Sequence, residues 1–310
     1  MTRRDGVRGA FLLGLMGVLA SAAGRAGAAT SAAFPSAGGG PRAIALGGHI
    51  VALPVDDLAL ESNPARLAYA TGSATGQYDR ISPDLDLQRG RVGAAFALGP
   101  GAAEPLQDSR PVKLALGVSL ATQGLTLIEG SAYSEVTLSA GLAYVPTSVG
   151  AAGVAVRYQR ALSDVPGAEA TGFGVDIGLS FDLAEHWDIA LAVTDAFGRT
   201  TFEESADEDR GARTTLGIAA VRRRWWQAEL NYVLEADATS AVAGGFEIHV
   251  VPGTLDLRAG VSQEMRDPAR TVPSFGCGVA FSAFHLDYAY RADRDGAFDV
   301  QHRFALGARF

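Results

Sequence analysis

Along most of the chain, apolar residues alternate with small or polar ones at period 2, the pattern of a strand with two unlike faces. Val112, Leu114, Leu116, Val118 and Leu120 fall on one face, with Lys113, Ala115, Gly117, Ser119 and Ala121 on the other. The same split sets Phe173, Val175, Ile177, Leu179 and Phe181 against Gly174, Asp176, Gly178, Ser180 and Asp182. It recurs with Trp226, Ala228, Leu230, Tyr232 and Leu234 against Gln227, Glu229, Asn231, Val233 and Glu235. Fourteen such segments lie at about 68–79, 87–98, 111–122, 133–145, 150–162, 171–182, 187–197, 212–222, 225–237, 241–250, 254–264, 273–282, 284–293 and 299–310. None carries a sustained i, i+3, i+4 apolar stripe, so the pattern predicts an all-β chain.

Soluble strands usually run about five or six residues, whereas a tilted strand crossing a bilayer needs about nine to eleven. The segments here match the second class. Polar loops around 123–132, 163–170, 198–211 and 265–272 alternate with tight joins near Pro146–Gly150, Ala184–His186, Arg223–Arg224, Val251–Gly253 and Ser282–Ala283. Short periplasmic turns alternating with longer external loops are what a transmembrane antiparallel barrel shows. Two connections break the rule: 99–110 is long and the join near Asp237 is short. The expected fold is therefore a barrel of about 14 strands over residues 68–310, with 198–211 (Glu203, Glu204, Asp207, Glu208, Asp209) as an external acidic loop. Trp187, Trp225, Trp226, Tyr144, Phe197, Tyr288, Tyr290 and Phe310 lie mostly near segment ends, as interfacial girdles do. Arg222-Arg223-Arg224 beside Trp225 and Trp226 reads as an interface anchor with snorkelling guanidinium groups.

The N-terminus follows another pattern. Arg3, Arg4 and Arg8 precede an uncharged run from Gly9 to Gly24, and Ala26-Gly27-Ala28 supplies a small-x-small cleavage site. These features predict a signal peptide over 1–28, read by the Sec route, with an apolar core of only about ten residues, too short to span a bilayer as a helix. No later run is long and apolar enough for a membrane helix. Export together with the barrel pattern places the expected chain in the outer membrane of a Gram-negative-type bacterium, with lipid and the barrel assembly machinery as partners. Residues 29–39 read as a flexible lead. Residues 40–67 are too apolar to be solvated and too long for a linker, so they are expected to fold back into the lumen as a plug.

Composition sharpens this picture. With 38 glycines, 48% hydrophobic and 19% charged residues in 310, the chain is glycine-rich and charge-poor. Its net charge of −8, with Lys113 its only lysine, argues against a nucleic-acid partner, which needs clustered cations. One cysteine, Cys277, rules out an internal disulfide and falls on the apolar face with Phe275, Val279 and Phe281. No Gly-x-Ser-x-Gly elbow, His-Glu-x-x-His or phosphate loop occurs, so neither an enzyme nor a cofactor is expected. His49, His186, His249, His285 and His302 stand singly without ligand spacing to one another, so no metal is expected either. The inward faces carry Asp176, Glu229, Glu247, Asp256, Arg258, Asp287 and Arg303, a wall suited to holding a plug by hydrogen bonds and ion pairs.

Two stretches carry a resemblance. Gly40-x-Arg42-Ala43-x-x-Leu46-Gly47-Gly48, then Asp56-Asp57, then Asn63-Pro64-Ala65-x-Leu67 resembles the N-terminal hatch signature of FadL-like outer-membrane proteins, more closely their PorV/PorQ branch. The ending His302-Arg303-Phe304-x-Leu306-Gly307-x-x-Phe310 is similar to that branch, and its terminal Phe resembles a barrel-assembly signal. Two departures are Leu58–Ser62, where an aromatic often precedes Asn-Pro, and His49, where Ala is usual. The resemblance implies a fourteen-stranded barrel with an N-terminal plug, matching the count from periodicity. It implies uptake of a hydrophobic solute through a plugged barrel. Two other roles stay open: a non-conducting barrel that holds secreted protein cargo at the cell surface, and a purely structural one.

Overall fold

The computed structural model describes residues 39–53, 58–70, 72–82, 87–98, 114–126, 132–147, 150–164, 167–203, 206–222, 225–235, 240–265, 269–292 and 300–310. Two short helices, α1 (Pro41–Ala45) and α2 (Ala59–Ser62), and a 3-10 turn (Pro64–Tyr69) precede the strands. The strands are β1 (Ser73–Ser82), β2 (Leu87–Leu98), β3 (Leu114–Thr126), β4 (Ala132–Thr147), β5 (Gly150–Ser163), β6 (Ala170–Ala184), β7 (Trp187–Phe202) and β8 (Glu208–Asp209). They continue with β9 (Arg213–Arg222), β10 (Trp226–Leu234), β11 (Ser240–Val251), β12 (Leu255–Glu264), β13 (Arg270–Phe281), β14 (Phe284–Ala292) and β15 (Val300–Arg309).

Each long strand pairs antiparallel with its neighbours in sequence, β7 pairs with both β6 and β9, and β15 closes on β1. The result is a closed antiparallel barrel of 14 long strands, with the two-residue β8 laid beside β7. Register carries the two faces from strand to strand. Between β3 and β4, Leu116 faces Leu142 and Leu120 faces Leu138 outside, while Ala115 faces Ala143 and Gly117 faces Gly141 inside. Leu116, Val118, Leu138, Phe173, Leu230, Phe246 and Leu306 are exposed on the outer surface. A continuous apolar belt of this kind is unfavourable in water and matches hydrocarbon. Trp187, Trp225, Phe281, Phe284 and Phe310 are exposed at the short-turn rim, where amphipathic rings suit an interface. At the closing seam, Phe310 N–H donates to Gly72 O at 2.9 Å.

Two boundaries differ most from the alternation pattern, and each has a local cause. The first strand starts at Ser73 rather than near 68, because Pro64–Tyr69 forms a 3-10 turn whose first N–H, that of Ala65, is met by the Asn63 side chain. The seventh runs on to Phe202 through a wide irregularity: Thr194, Asp195 and Ala196 together oppose Asp176, between the pairs Ile177–Val193 and Val175–Phe197. Asp195 sits there at φ 52°, a left-handed conformation that Asp tolerates better than most residues.

Inside the barrel, residues 39–53 and 58–70 form the only sizeable apolar core among the described residues. Leu46, Leu53, Leu60 and Leu67 are fully buried against wall alanines such as Ala95, Ala115, Ala143, Ala155 and Ala219. The small inward residues therefore leave volume that the N-terminal segment fills.

Candidate functional site

The arrangement of the N-terminal segment begins with its own residues. Pro41 opens α1 at a position where its missing N–H is not needed. Gly47 and Gly48, at φ 97° and 90°, then turn the chain out of the helix. A side chain at 47 would also meet Val261 O at 2.9 Å, so the turn needs glycine for its space and its angle. Asn63 caps the 3-10 turn by accepting from Ala65 N–H at 3.0 Å, and its amide donates to Val51 O at 2.8 Å and to Leu179 O on the wall at 3.2 Å. One side chain thus ties both halves of the segment to β6.

Glu229 on β10 makes the densest anchor. Its carboxylate accepts from three successive backbone N–H groups, Val51 at 2.7 Å and Ala52 and Leu53 at 2.8 Å each. Consecutive N–H groups converging on one anion form a nest, here occupied by a carboxylate from the wall. Arg42 donates to Glu247 at 2.7 Å, and Glu247 is also held by Arg258 at 2.7 Å and Gln227 at 2.6 Å. Arg258 continues the chain to Asp287 and, at 3.4 Å, to Asp256. At β6, Arg66 is fully buried, donates to Ser180 at 2.6 Å and stacks 4.1 Å above the Tyr69 ring. Glu61 meets Arg91 at 2.5 Å and Arg89 at 3.1 Å, and Arg303 donates to Gly39 O at 3.1 Å.

Between these anchors the wall is moulded to the segment. A Cβ added at Gly153 would lie 2.6 Å from Pro64 O, at Gly260 2.8 Å from Ala45 O, at Gly178 2.8 Å from Ala65 N, and at Gly117 2.9 Å from Leu67. These seats lie on β5, β12, β6 and β3, so the close fit surrounds the segment. Alternation distinguishes an inward glycine from an outward one, but gives no sign that it is a seat.

The chain has solved structural relatives. The Ralstonia pickettii toluene transporter TbuX aligns with a TM-score of 0.63 at 14% identity, over 88% of this chain and 98% of that one. The CymD monoaromatic hydrocarbon channel aligns at 0.67 with 14% identity, over 90% and 99%. A Pseudomonas aeruginosa FadL homologue aligns at 0.57 with 13% identity, over 88% and 98%. The chain has the FadL-like barrel fold. No protein-family model and no curated protein sequence matches it.

Within this FadL-like fold, Arg42, Gly47, Gly48, Asn63 and Pro64 all lie in the lumen segment, while Asp56 and Asp57 lie outside the described residues. Glu229, Glu247, Asp256, Arg258, Asp287 and Arg303 face the segment or its anchors, and Asp176 faces Arg157 at 2.8 Å nearby. Phe304, Leu306 and Phe310 are exposed on the outer face, and Gly307 makes room for the His285 ring inside. Spacing between histidines missed one grouping. Glu247, His249 and Asp256 bring ligand atoms within 4.8 Å of one another. Glu247 is already surrounded by two guanidinium groups and an amide, so ion pairing accounts for this group without a metal.

Arg66 was hidden in the variable position of Asn63-Pro64-Ala65-x-Leu67. An arginine there is an anchor because β6 offers Ser180 and β7 offers Asp188, 3.4 Å away.

Three expected results follow. Asn63→Ala removes the cap and both carbonyl contacts, at a cost of about 2 kcal/mol in docking of the segment. Asn63→Asp, which keeps the cap acceptor but not the amide donors, is expected to recover only part of that loss in thermal unfolding of the detergent-solubilised protein. Arg42→Ala leaves Glu247 paired with Arg258 and should lower stability modestly. Glu247→Ala removes the one carboxylate shared by Arg42, Arg258 and Gln227 and should cost more, roughly 3 kcal/mol, measured by the same melts.

The third concerns acid. Burial opposes ionisation of Glu61, but Arg89 and Arg91 outweigh it and hold the carboxyl down at about 2. A depressed folded value means that stabilisation is fully present above the ordinary range near 4.5 and is lost as pH falls towards 2. The melting temperature of the wild type should fall more steeply through that window than that of Glu61→Gln. Parallel curves would contradict the assignment.

Proposed function

We propose that the chain is an outer-membrane channel for small hydrophobic solutes, exported through a signal peptide over 1–28 and plugged by residues 40–67. The observation that carries the reading is the lumen segment itself. It is apolar at its centre and held at its edges by discrete polar anchors, so it can leave the wall by breaking a countable set of hydrogen bonds and ion pairs. A solute entering beside it meets Leu60, Leu67 and the wall alanines, surfaces that accept apolar groups. TbuX and TodX carry the description toluene transporter, which supports a monoaromatic hydrocarbon as the first solute to try. The exposed C-terminal strand face with Phe304, Leu306 and Phe310 is read as the signal for the barrel assembly machinery.

The test is uptake. In a host without hydrocarbon channels of its own, expression should raise entry of labelled toluene several-fold over an empty vector while leaving entry of a sugar unchanged. Equal toluene rates with and without the protein would contradict the reading.

A PorV/PorQ-type role, holding secreted cargo outside a barrel that conducts nothing, is favoured by the close glycine fit around the segment. That role predicts a secreted protein, rather than a hydrophobic small molecule, in mass spectra of material copurifying with the barrel.

A further inference from the structure

On the loop side of the segment, four wall strands aim polar and charged groups at one point. Glu135 on β4, Arg157 and Gln159 on β5, Asp176 on β6 and Asp195 on β7 are all buried on the inner face. Arg157 lies 2.8 Å from Asp176 and 3.0 Å from Asp195, and the Asp195 N–H donates to Asp176 at 2.7 Å. Into this cluster comes a residue from no spanning strand. Arg210, in the short connection from β8 to β9, is buried, with its guanidinium 3.0 Å from Asp195 and bonded to Gln159.

The backbone is shaped to allow this. The three-for-one irregularity in β7 puts Asp195 at φ 52° and turns its carboxylate inward. Added Cβ atoms would overlap Asp195 Oδ1 from Gly174 and lie 2.9 Å from Arg210 Cβ at Gly198. The Arg210 N–H donates to Gly198 O at 2.9 Å, and β8 pairs with Arg199 and Thr200. The expectation of an external acidic loop over 198–211 is corrected in two places: 198–202 continue β7, and residues 208–210 are pinned to the wall by a cation that the acidic pattern concealed.

We propose that residues 206–212 are a latched strap, a second closure in series with the lumen segment, in which Arg210 is the bolt and Asp195 with Gln159 the keeper. The buried carboxylates make release of the bolt costly, because withdrawing Arg210 takes one of two guanidinium groups from Asp195 and leaves Arg157 to serve both Asp176 and Asp195. The strap sets access from the loop side whatever the solute. Its failure would therefore leave the channel reading standing, and failure of toluene uptake would not touch it.

The test places a reporter beneath the strap. Thr137, on the inner face of β4 and 3.5 Å from Gln159, is replaced by cysteine in a Cys277→Ser background. Labelling of the folded barrel by a bulky charged maleimide is then timed. Arg210→Gln and Asp195→Asn should each raise the rate tenfold or more, and Arg210→Lys, which keeps charge but loses the fork, by less. Arg199→Gln, which removes only the exposed pair with Asp207, should stay within about twofold of the parent. The proposal is overturned if Arg210→Gln and Asp195→Asn label at the parent rate, or if Arg199→Gln rises as much as they do. Should Arg210→Gln not assemble, Arg210→Lys and Asp195→Asn decide alone: an unchanged rate in both overturns the latch.

Discussion

Replacing Glu229 by alanine is expected to raise the open probability of the barrel by roughly a hundredfold or more. The carboxylate accepts from Val51, Ala52 and Leu53, and all three N–H groups are buried. A buried donor left without an acceptor costs about 1–3 kcal/mol, so three orphans cost at least about 3 kcal/mol. That is roughly a hundredfold in the docking equilibrium. Glu229→Gln keeps the volume but turns an amide N–H towards donors, and should fall between wild type and alanine. Single-channel recording in planar bilayers reads the result, with heat-modifiable gel mobility confirming that each barrel is folded. A folded Glu229→Ala barrel as silent as the wild type would show that the nest does not hold the segment in place.

The second large effect is steric. In the double variant Gly153→Ala with Gly260→Ala, new methyl groups would press on Pro64 O and Ala45 O from two sides of the lumen. Backbone cannot rotate away as a side-chain tip can. Overpacking of this kind costs about 1–3 kcal/mol per site. The strain falls on the segment, which is held by side-chain anchors, rather than on strands held by continuous backbone ladders. The expected outcome is an assembled barrel with residues 50–53 newly open to protease and with conductance raised. Gly124→Ala serves as a control, because its added carbon would find Tyr133 O no nearer than 3.8 Å. If the double variant were as protease-resistant as the Gly124→Ala control, the moulded fit would not be what keeps the segment seated.

The strands were legible because an apolar outer belt and a filled lumen impose opposite demands at every second residue. Phe173 to Phe181 and Trp226 to Leu234 show those demands without any knowledge of the fold. The boundary at Ser73 was not legible. Residues 64–72 are small and mixed, and what separates turn from strand there is the Asn63 cap. The wall carboxylates could be placed inside by parity, but their partners could not. Glu229 meets backbone N–H groups, which carry no residue signature, and Arg66 occupies a position that the motif leaves free. The bulge at 194–196 was invisible because period-2 counting carries on past an inserted pair of residues, and Arg210 looked like one cation in an acidic loop.

The central claim is that solute passes only when the lumen segment leaves its seat. A reversible lock tests it directly. Ala45 on α1 and Gly276 on β13 face each other, and a Cβ built at 276 lies 2.6 Å from that of Ala45. A shift of about 1 Å in α1 would bring the pair to the usual disulfide separation. In cells expressing Ala45→Cys, Gly276→Cys and Cys277→Ser together, oxidation should reduce labelled toluene uptake to the empty-vector level, and reductant should restore it. Uptake at the same raised rate in the oxidised and reduced protein, with the disulfide verified by mass spectrometry, would contradict the account.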